Sequence, residues 1–395
     1  MVIFDGAADL PLKDLGGRTP LEAANKPHTD AASKRGVTGV LRSIPAGYPP
    51  GSDVAIMSIL GYDPHVYYTG RAPLEAANLG IKLNDGDWAA RCNLVTITQG
   101  RMADYSAGHI SNDEAKEIIA TLNKAFAGKG LEFYAGKSYR NLLIFRGIGS
   151  LSVKTEPPHD IAGKETRPYL PSGPDGARFQ ALMDAAAPLL ANHSVNAKRR
   201  AAGKPEATSI WLWGEGRGAK FPSFRELYGL GPAVITYVDL VAGICALSGW
   251  ERIAVPGATG YYDTDYRDKG VKGAAALATH DLVFVHVEAP DEASHNGHAA
   301  EKVKAIENID RWVVAPMMEA LEKYGDYRFL ALPDHYTLTS SGAHGGEPVP
   351  FTMCGAGVKA GGAAFTEKEA ANGPHLEEGW RLMEAFLGKT GQWAL

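Results

Sequence analysis

Three stretches of this chain finish an apolar run on residues that can hold cations. "DLVFVHVEAPDEASHNGH" sets Asp291 and His295 four apart, with Glu288 and His298 beside them. "RFLALPDHYTLTSSGAHGGEPVPF" places Asp334 and His335 together, His344 nine residues later, and "VIFDG" supplies Asp5. Singly, an Asp or His at a strand end is a capping or solvated residue. Three carboxylates and three imidazoles at the same edge of one sheet are different, because crowded carboxylates repel and raise each other's pKa. Divalent cations resolve that conflict. Mixed carboxylate and imidazole ligation suits Mn²⁺ or Zn²⁺ better than Mg²⁺ or Ca²⁺. Six donors exceed what one catalytic ion with an open position needs, so two ions are expected, Mn²⁺ first, with Zn²⁺ or Mg²⁺ as alternatives. Two-metal sites clamp the attacking and leaving oxygens of a phosphoryl displacement.

Such chemistry needs an acceptor. "IPAGYPPGSDVAIMSILGYDP" presents Ser52 on a proline-glycine bend ahead of a helix expected over Val54–Leu60. One reading makes Ser52 that helix's N-cap. The other makes it a nucleophile, since free amides at a helix start favour a phosphoryl group and a metal-bound hydroxyl is readily deprotonated. Arg71, Arg140, Arg199, Arg200 and Arg217 are the candidate substrate-binding cations, because guanidinium meets carboxylate or phosphate with two parallel bonds. The competing reading of each is an exposed surface arginine. "GATGYYDTDY" at 257–266 reads as turn chemistry. No Gly-x-x-x-x-Gly-Lys-Ser/Thr loop occurs, which disfavours a P-loop kinase.

Short β-branched runs alternate with helical patterns at 20–35, 239–248 and 298–324, and "SIWLWG" at 209–214 joins the series. This is the pattern of an α/β fold, a mainly parallel sheet with helices on both faces. Ligands in such folds bind beyond the carboxyl ends of the strands, where the Asp and His residues fall. The middle differs: "ARCNLVTIT", "RMADYSAG", "EFYAGK" and "NLLIFRG" with one helix near 112–126 read as an inserted α+β domain. The expected division is a core of 1–84 and 205–395 around an insertion of 85–204. A chain of 395 residues, 45% hydrophobic, is large enough for two domains. Its net charge of −5 contains no like-charged block, so a small molecule is expected rather than nucleic acid or a membrane surface. The three cysteines, Cys92, Cys245 and Cys354, lie far apart in apolar runs, which fits a reducing cytoplasm. The longest apolar stretch is interrupted by Asp239, and the N-terminus lacks the basic start of a secretory signal.

In order along the chain, "VIFDGAAD", "RTPLEAANKP", "PPGSDVAIMSILGYDP", "YYTGRAPLEAA", "HVEAPDEASHNG" and "LPDHYTLTSSGAHGGEPVPF" resemble the archaeal-type cofactor-independent phosphoglycerate mutases of the alkaline phosphatase superfamily. The resemblance implies an alkaline-phosphatase-like core with an inserted lid. It implies interconversion of 3- and 2-phosphoglycerate without 2,3-bisphosphoglycerate, through a phosphoserine on Ser52. One metal ion would sit on Asp5, Ser52, Asp334 and His335, the other on Asp291, His295 and His344. The chain departs from that family at "MADYSAGHIS", where Tyr105 and His109 stand in place of arginines, and in a short first strand. "HVEAPDEA" also resembles a branch associated with homoserine, so phosphoryl transfer to homoserine is an alternative. Phosphate-ester hydrolysis and a metal-stabilised binding protein are the others.

Overall fold

The computed structural model describes residues 1–218 and 220–389. They form two compact units, Met1–Tyr68 with Phe221 onward, and Thr69–Lys220. The first carries an eight-stranded sheet in the order His375–Leu376, Gly36–Leu41, Val349–Gly355, Arg328–Leu332, Val2–Phe4, Leu282–Val287, Pro232–Ile235, Glu251–Arg252. Every pairing is parallel except the two made by Val349–Gly355. The central strands Val2–Phe4 and Leu282–Val287 are buried throughout, as a parallel sheet covered on both faces requires. Val2, Phe4, Val285 and Phe329 pack against Ile306, Ile309, Val313 and Met317. Among the described residues no helix is long and apolar enough to cross a membrane, and all three cysteines are free and buried.

Prolines divide two of the expected helices. The pattern over 20–35 forms Pro20–Ala23, closed by a Thr19/Glu22 capping box, and then Pro27–Lys34. Pro27 has no amide with which to continue the first helix. The pattern over 298–324 forms Ala299–Ile309, a π-helical turn Asp310–Val314, and Ala315–Glu322. Pro316 removes an amide from the ladder there, while Asp310 accepts the Thr29 amide at 2.7 Å and the Thr29 hydroxyl at 2.6 Å.

The second unit is α+β. Its antiparallel sheet is built on Trp88–Thr98, which pairs with Arg140–Phe145 on one side and Ser209–Arg217 on the other. The helices Asn112–Ala125, Gly176–Ala191 and Ser194–Ala201 complete the unit. "SIWLWG" therefore lies in this sheet and not in the parallel one. The unit begins at Thr69 and ends at Lys220, against the expected 85 and 204. The reason is packing of helix Arg71–Asn78 against Trp88–Thr98 and Ser209–Arg217. A Cβ on Gly70 would lie 2.1 Å from the Glu215 carbonyl, and one on Gly216 2.3 Å from that of Thr69, so only glycine permits this approach.

Candidate active site

Asp5 immediately follows Val2–Phe4, and its amide still pairs with the Val287 carbonyl at 3.1 Å. Gly6 then turns with φ +61°, its amide donating to Asp334 Oδ1 at 3.1 Å. A Cβ there would stand 2.5 Å from Thr337 Oγ1 and 2.6 Å from Asp291 Oδ1. Asp334 Oδ1 also accepts the His335 amide at 3.0 Å, which pins that oxygen and turns Oδ2 inward. His335 Nε2 lies 3.5 Å from both Asp5 Oδ1 and Asp334 Oδ2. Five buried side-chain polar atoms among the described residues lack a hydrogen-bond partner, and three are here: Asp5 Oδ1, Asp334 Oδ2 and His286 Nε2. Burial, then Asp334 and Asp291, hold the Asp5 carboxyl well above its usual range. Unpartnered carboxylate oxygens are costly in a buried site, and a cation is the group that fits them.

A second group lies alongside. Asp291 and His295 occupy successive turns of helix Ala289–His295, with His295 Nε2 3.1 Å from Asp291 Oδ2. His344 Nε2 is 3.4 Å from Asp291 Oδ1 and 3.0 Å from His295 Nε2. His295 Nδ1 donates to the Gly342 carbonyl at 2.7 Å, which leaves Nε2, the nitrogen toward Asp291 and His344, to take either a second proton or a cation. Burial raises the Asp291 carboxyl, but the bonds to His295 and His344 outweigh it and bring it well below its usual range. The same bond to Asp291 lifts His295 to about 9, so a proton competes with any cation there.

The two groups are joined through Thr337. Its hydroxyl donates to Asp291 Oδ1 at 2.6 Å and lies 3.1 Å from His335 Nδ1, which also faces the Tyr336 carbonyl at 3.1 Å. Behind it, Lys302 donates to Asp9 Oδ2 at 2.9 Å and to the Thr337 carbonyl at 2.8 Å. This ion pair is wholly buried and ties the Asp5 turn to the His335 segment.

Ser52 is the first residue of helix Ser52–Ile59, two residues earlier than expected, and the capping position belongs to Gly51. The hydroxyl makes no cap bond. It lies 3.0 Å from His335 Nε2, where first-turn amides lack intrahelical acceptors. The nucleophile reading and the capping reading thus separate in space.

The candidate arginines disperse within the second unit. Arg199, 2% exposed, donates to Glu114 at 2.8 Å and to the carbonyls of Pro205 and Ala107, both at 2.6 Å; it braces the start of helix Asn112–Ala125. Arg200 makes two bonds to Glu206, at 2.8 and 2.6 Å, on the surface. Arg217 ends its strand, exposed. These contacts supply structural roles for Arg199 and Arg200, not a substrate role. Arg71 and Arg140 instead both lie near enough to His159, a residue no sequence pattern singles out, to act on its charge. Burial holds its imidazole below the usual range; Asp160 opposes this, and Arg91, Arg71 and Arg140 reinforce it. Arg91 lies 4.4 Å over the Trp213 ring and Arg140 5.3 Å over that of Tyr139. Tyr105 and His109 pack on Tyr139 in the same cluster.

His286, Thr337, Lys302 and His159 lie outside the residues that strand-end patterning singles out. His286 and Lys302 did carry a signal, a titratable side chain at an apolar position of its pattern; Thr337 and His159 carried none.

A mainly parallel α/β sheet with carboxylates and imidazoles at its carboxyl edge, facing a hydroxyl on a helix start, is alkaline-phosphatase-like architecture. The family model for 2,3-bisphosphoglycerate-independent phosphoglycerate mutase matches residues 33–196. A protein of that name from Methanothermobacter thermautotrophicus, numbered 2, is 47% identical over 98% of this chain and 96% of its own. A Geobacter sulfurreducens protein named as a probable enzyme of this kind is 45% identical over 98% and 99%. The solved cofactor-independent phosphoglycerate mutase of Thermoplasma acidophilum superposes with a TM-score of 0.66 at 27% identity, covering 98% of each chain. A Pyrococcus horikoshii protein superposes with 0.81 at 27% identity, covering 98% of this chain and 97% of its own. The chain belongs to the 2,3-bisphosphoglycerate-independent phosphoglycerate mutases.

Proposed function

We propose that this chain interconverts 3-phosphoglycerate and 2-phosphoglycerate through a phosphoserine on Ser52. The observation that carries the reading is the Ser52 hydroxyl, free of any capping bond and 3.0 Å from His335 Nε2, at the first turn of a helix. Asp5, Ser52, Asp334 and His335 would hold one divalent cation and Asp291, His295 and His344 the other. Bound there, such ions supply positive charge to the alkoxide and to the transferring phosphoryl group.

The chain's own groups do the rest. The Ser52 oxygen attacks phosphorus, the bond from phosphorus to the 3-oxygen breaks, and the glycerate oxygen leaves with the proton that Ser52 gives up. First-turn amides of helix Ser52–Ile59 hold the phosphoryl oxygens. After the glycerate turns, its 2-hydroxyl attacks the phosphoserine, the bond to Ser52 breaks, and Ser52 regains a proton. Thr337 and Gly6 keep Asp291 and Asp334 in place. Arg71 and Arg140, with His159, form the group suited to the substrate carboxylate.

The test is an enolase-coupled assay on chelator-treated protein with Mn²⁺ restored. Metal-dependent formation of 2-phosphoglycerate is expected. Its absence, or release of inorganic phosphate faster than isomer appears, would refute the mutase reading.

A further inference from the structure

His286 is the penultimate residue of the buried strand Leu282–Val287, paired with Ile3 one strand over. It is fully buried. An imidazole in that setting normally engages both nitrogens, because an unpartnered polar atom away from water costs the desolvation of that atom. Its Nδ1 has a partner, the Thr236 hydroxyl at 3.3 Å. Its Nε2 has none, although Asp5 Oδ2 is only 3.1 Å away. At that distance an Nε2–H aimed at the carboxylate would form a good hydrogen bond, and none is formed. Asp5 Oδ2 therefore lies off the Nε2 axis, beside and not on the line along which that nitrogen would bind a proton or a cation.

The surrounding atoms supply the same reading from a different side. One donor atom each from Asp5, His286 and Asp334 lies within 4.8 Å of the others, and the remaining unpartnered oxygens of the group, Asp5 Oδ1 and Asp334 Oδ2, belong to these same residues. Neighbouring donors around an octahedral ion of bond length about 2.1 Å are about 3 Å apart, which is the separation of His286 Nε2 from Asp5 Oδ2.

We propose that His286 Nε2 is a direct ligand of the divalent ion held by Asp5 and Asp334. The inference rests on the two-ion reading above and deepens it. The buried site then carries two imidazoles, His286 from the sheet and His335 from the following segment, with Ser52 as the oxygen donor toward the helix. A second imidazole moves the preference of the site from Mg²⁺ toward Mn²⁺ and Zn²⁺. Thr236, by engaging Nδ1, keeps the ring oriented.

The experiment is anomalous diffraction from crystals of the wild-type protein loaded with Mn²⁺, joined to Mn²⁺ titration calorimetry of wild type and His286→Ala. The expected result is an ion within about 2.4 Å of His286 Nε2 that also touches Asp5 and Asp334. In His286→Ala, one of two Mn²⁺ equivalents is expected to weaken at least about tenfold while the other is unchanged. An ion on Asp5 and Asp334 but more than about 3 Å from His286 Nε2 would overturn the ligand assignment and leave the two-ion reading standing. So would two unchanged affinities in the variant. No ion at Asp5 would overturn both. If His286→Ala does not fold, the wild-type diffraction decides alone.

Discussion

Replacing Ser52 by alanine separates the two roles a serine can have at a helix start. A true N-cap lost to alanine costs about 0.5–2 kcal/mol and leaves chemistry untouched. Here the capping position is Gly51, and the hydroxyl's contact is with His335 Nε2. Ser52→Ala therefore loses one neutral hydrogen bond, worth about 0.5–1.5 kcal/mol net, and recovers up to about 0.5 kcal/mol of helix propensity. The stability change is expected within about 1 kcal/mol, a shift in Tm of no more than about 2–4 °C. Turnover is expected to fall at least about 10⁴-fold, because no other oxygen occupies that position. The assay pairs the enolase-coupled rate with acid quenching and digestion, in which wild type is expected to yield a phosphorylated peptide Ser43–Arg71 and the variant none. An active alanine variant, with no phosphopeptide from wild type, would return Ser52 to a structural role.

Arg140→Met is expected to raise KM about 10- to 100-fold by loss of a charged hydrogen bond to substrate, whereas Arg200→Met, which breaks only the two surface bonds to Glu206, is expected to leave KM unchanged; steady-state kinetics separate them. Lys302→Met strands Asp9 in the interior, where the pair is 0% and 1% exposed, and should cost about 3–5 kcal/mol in denaturant unfolding. Adding Asp9→Asn to it should recover part of that loss. Arg146, at 2.7 Å from Glu132 and 2.9 Å from Asp87, helps hold both carboxyls below their usual ranges; for Glu132 it is the main cause, and for Asp87 it acts with the Asn84 and Gly147 amides against burial. A depressed folded pKa gives stability that is present above the unfolded value and lost as pH falls through the folded one. The gap in urea midpoint between wild type and Arg146→Met is therefore expected to be full above about pH 5 and to shrink below about pH 4; a gap independent of pH would show that the pairs contribute nothing.

Some of this protein is written locally. Apolar runs that stop on Asp or His are legible without coordinates, because a parallel strand is apolar throughout and its carboxyl end is where polarity resumes. That is why Asp5, Asp291, Asp334 and His335 could be marked, and why His295 could be paired with Asp291 from a spacing of four. Capping chemistry is equally local: Thr19 with Glu22, and Ser111 with Glu114, close their helices as such spacings do.

Other decisions belong to tertiary structure. Arg199 and Arg140 are the same residue type, yet one is consumed by Glu114 and two carbonyls and the other faces an aromatic and cationic cluster. "SIWLWG" carries no mark of which sheet it joins, since strand patterning sets a strand's period and not its partner; pairing with Trp88–Thr98 decided it. Ser52 illustrates both limits. Its place at a helix start is a matter of neighbouring residues, whereas the choice between capping its own helix and meeting His335, 283 residues away, depends on long-range contacts that no local pattern encodes.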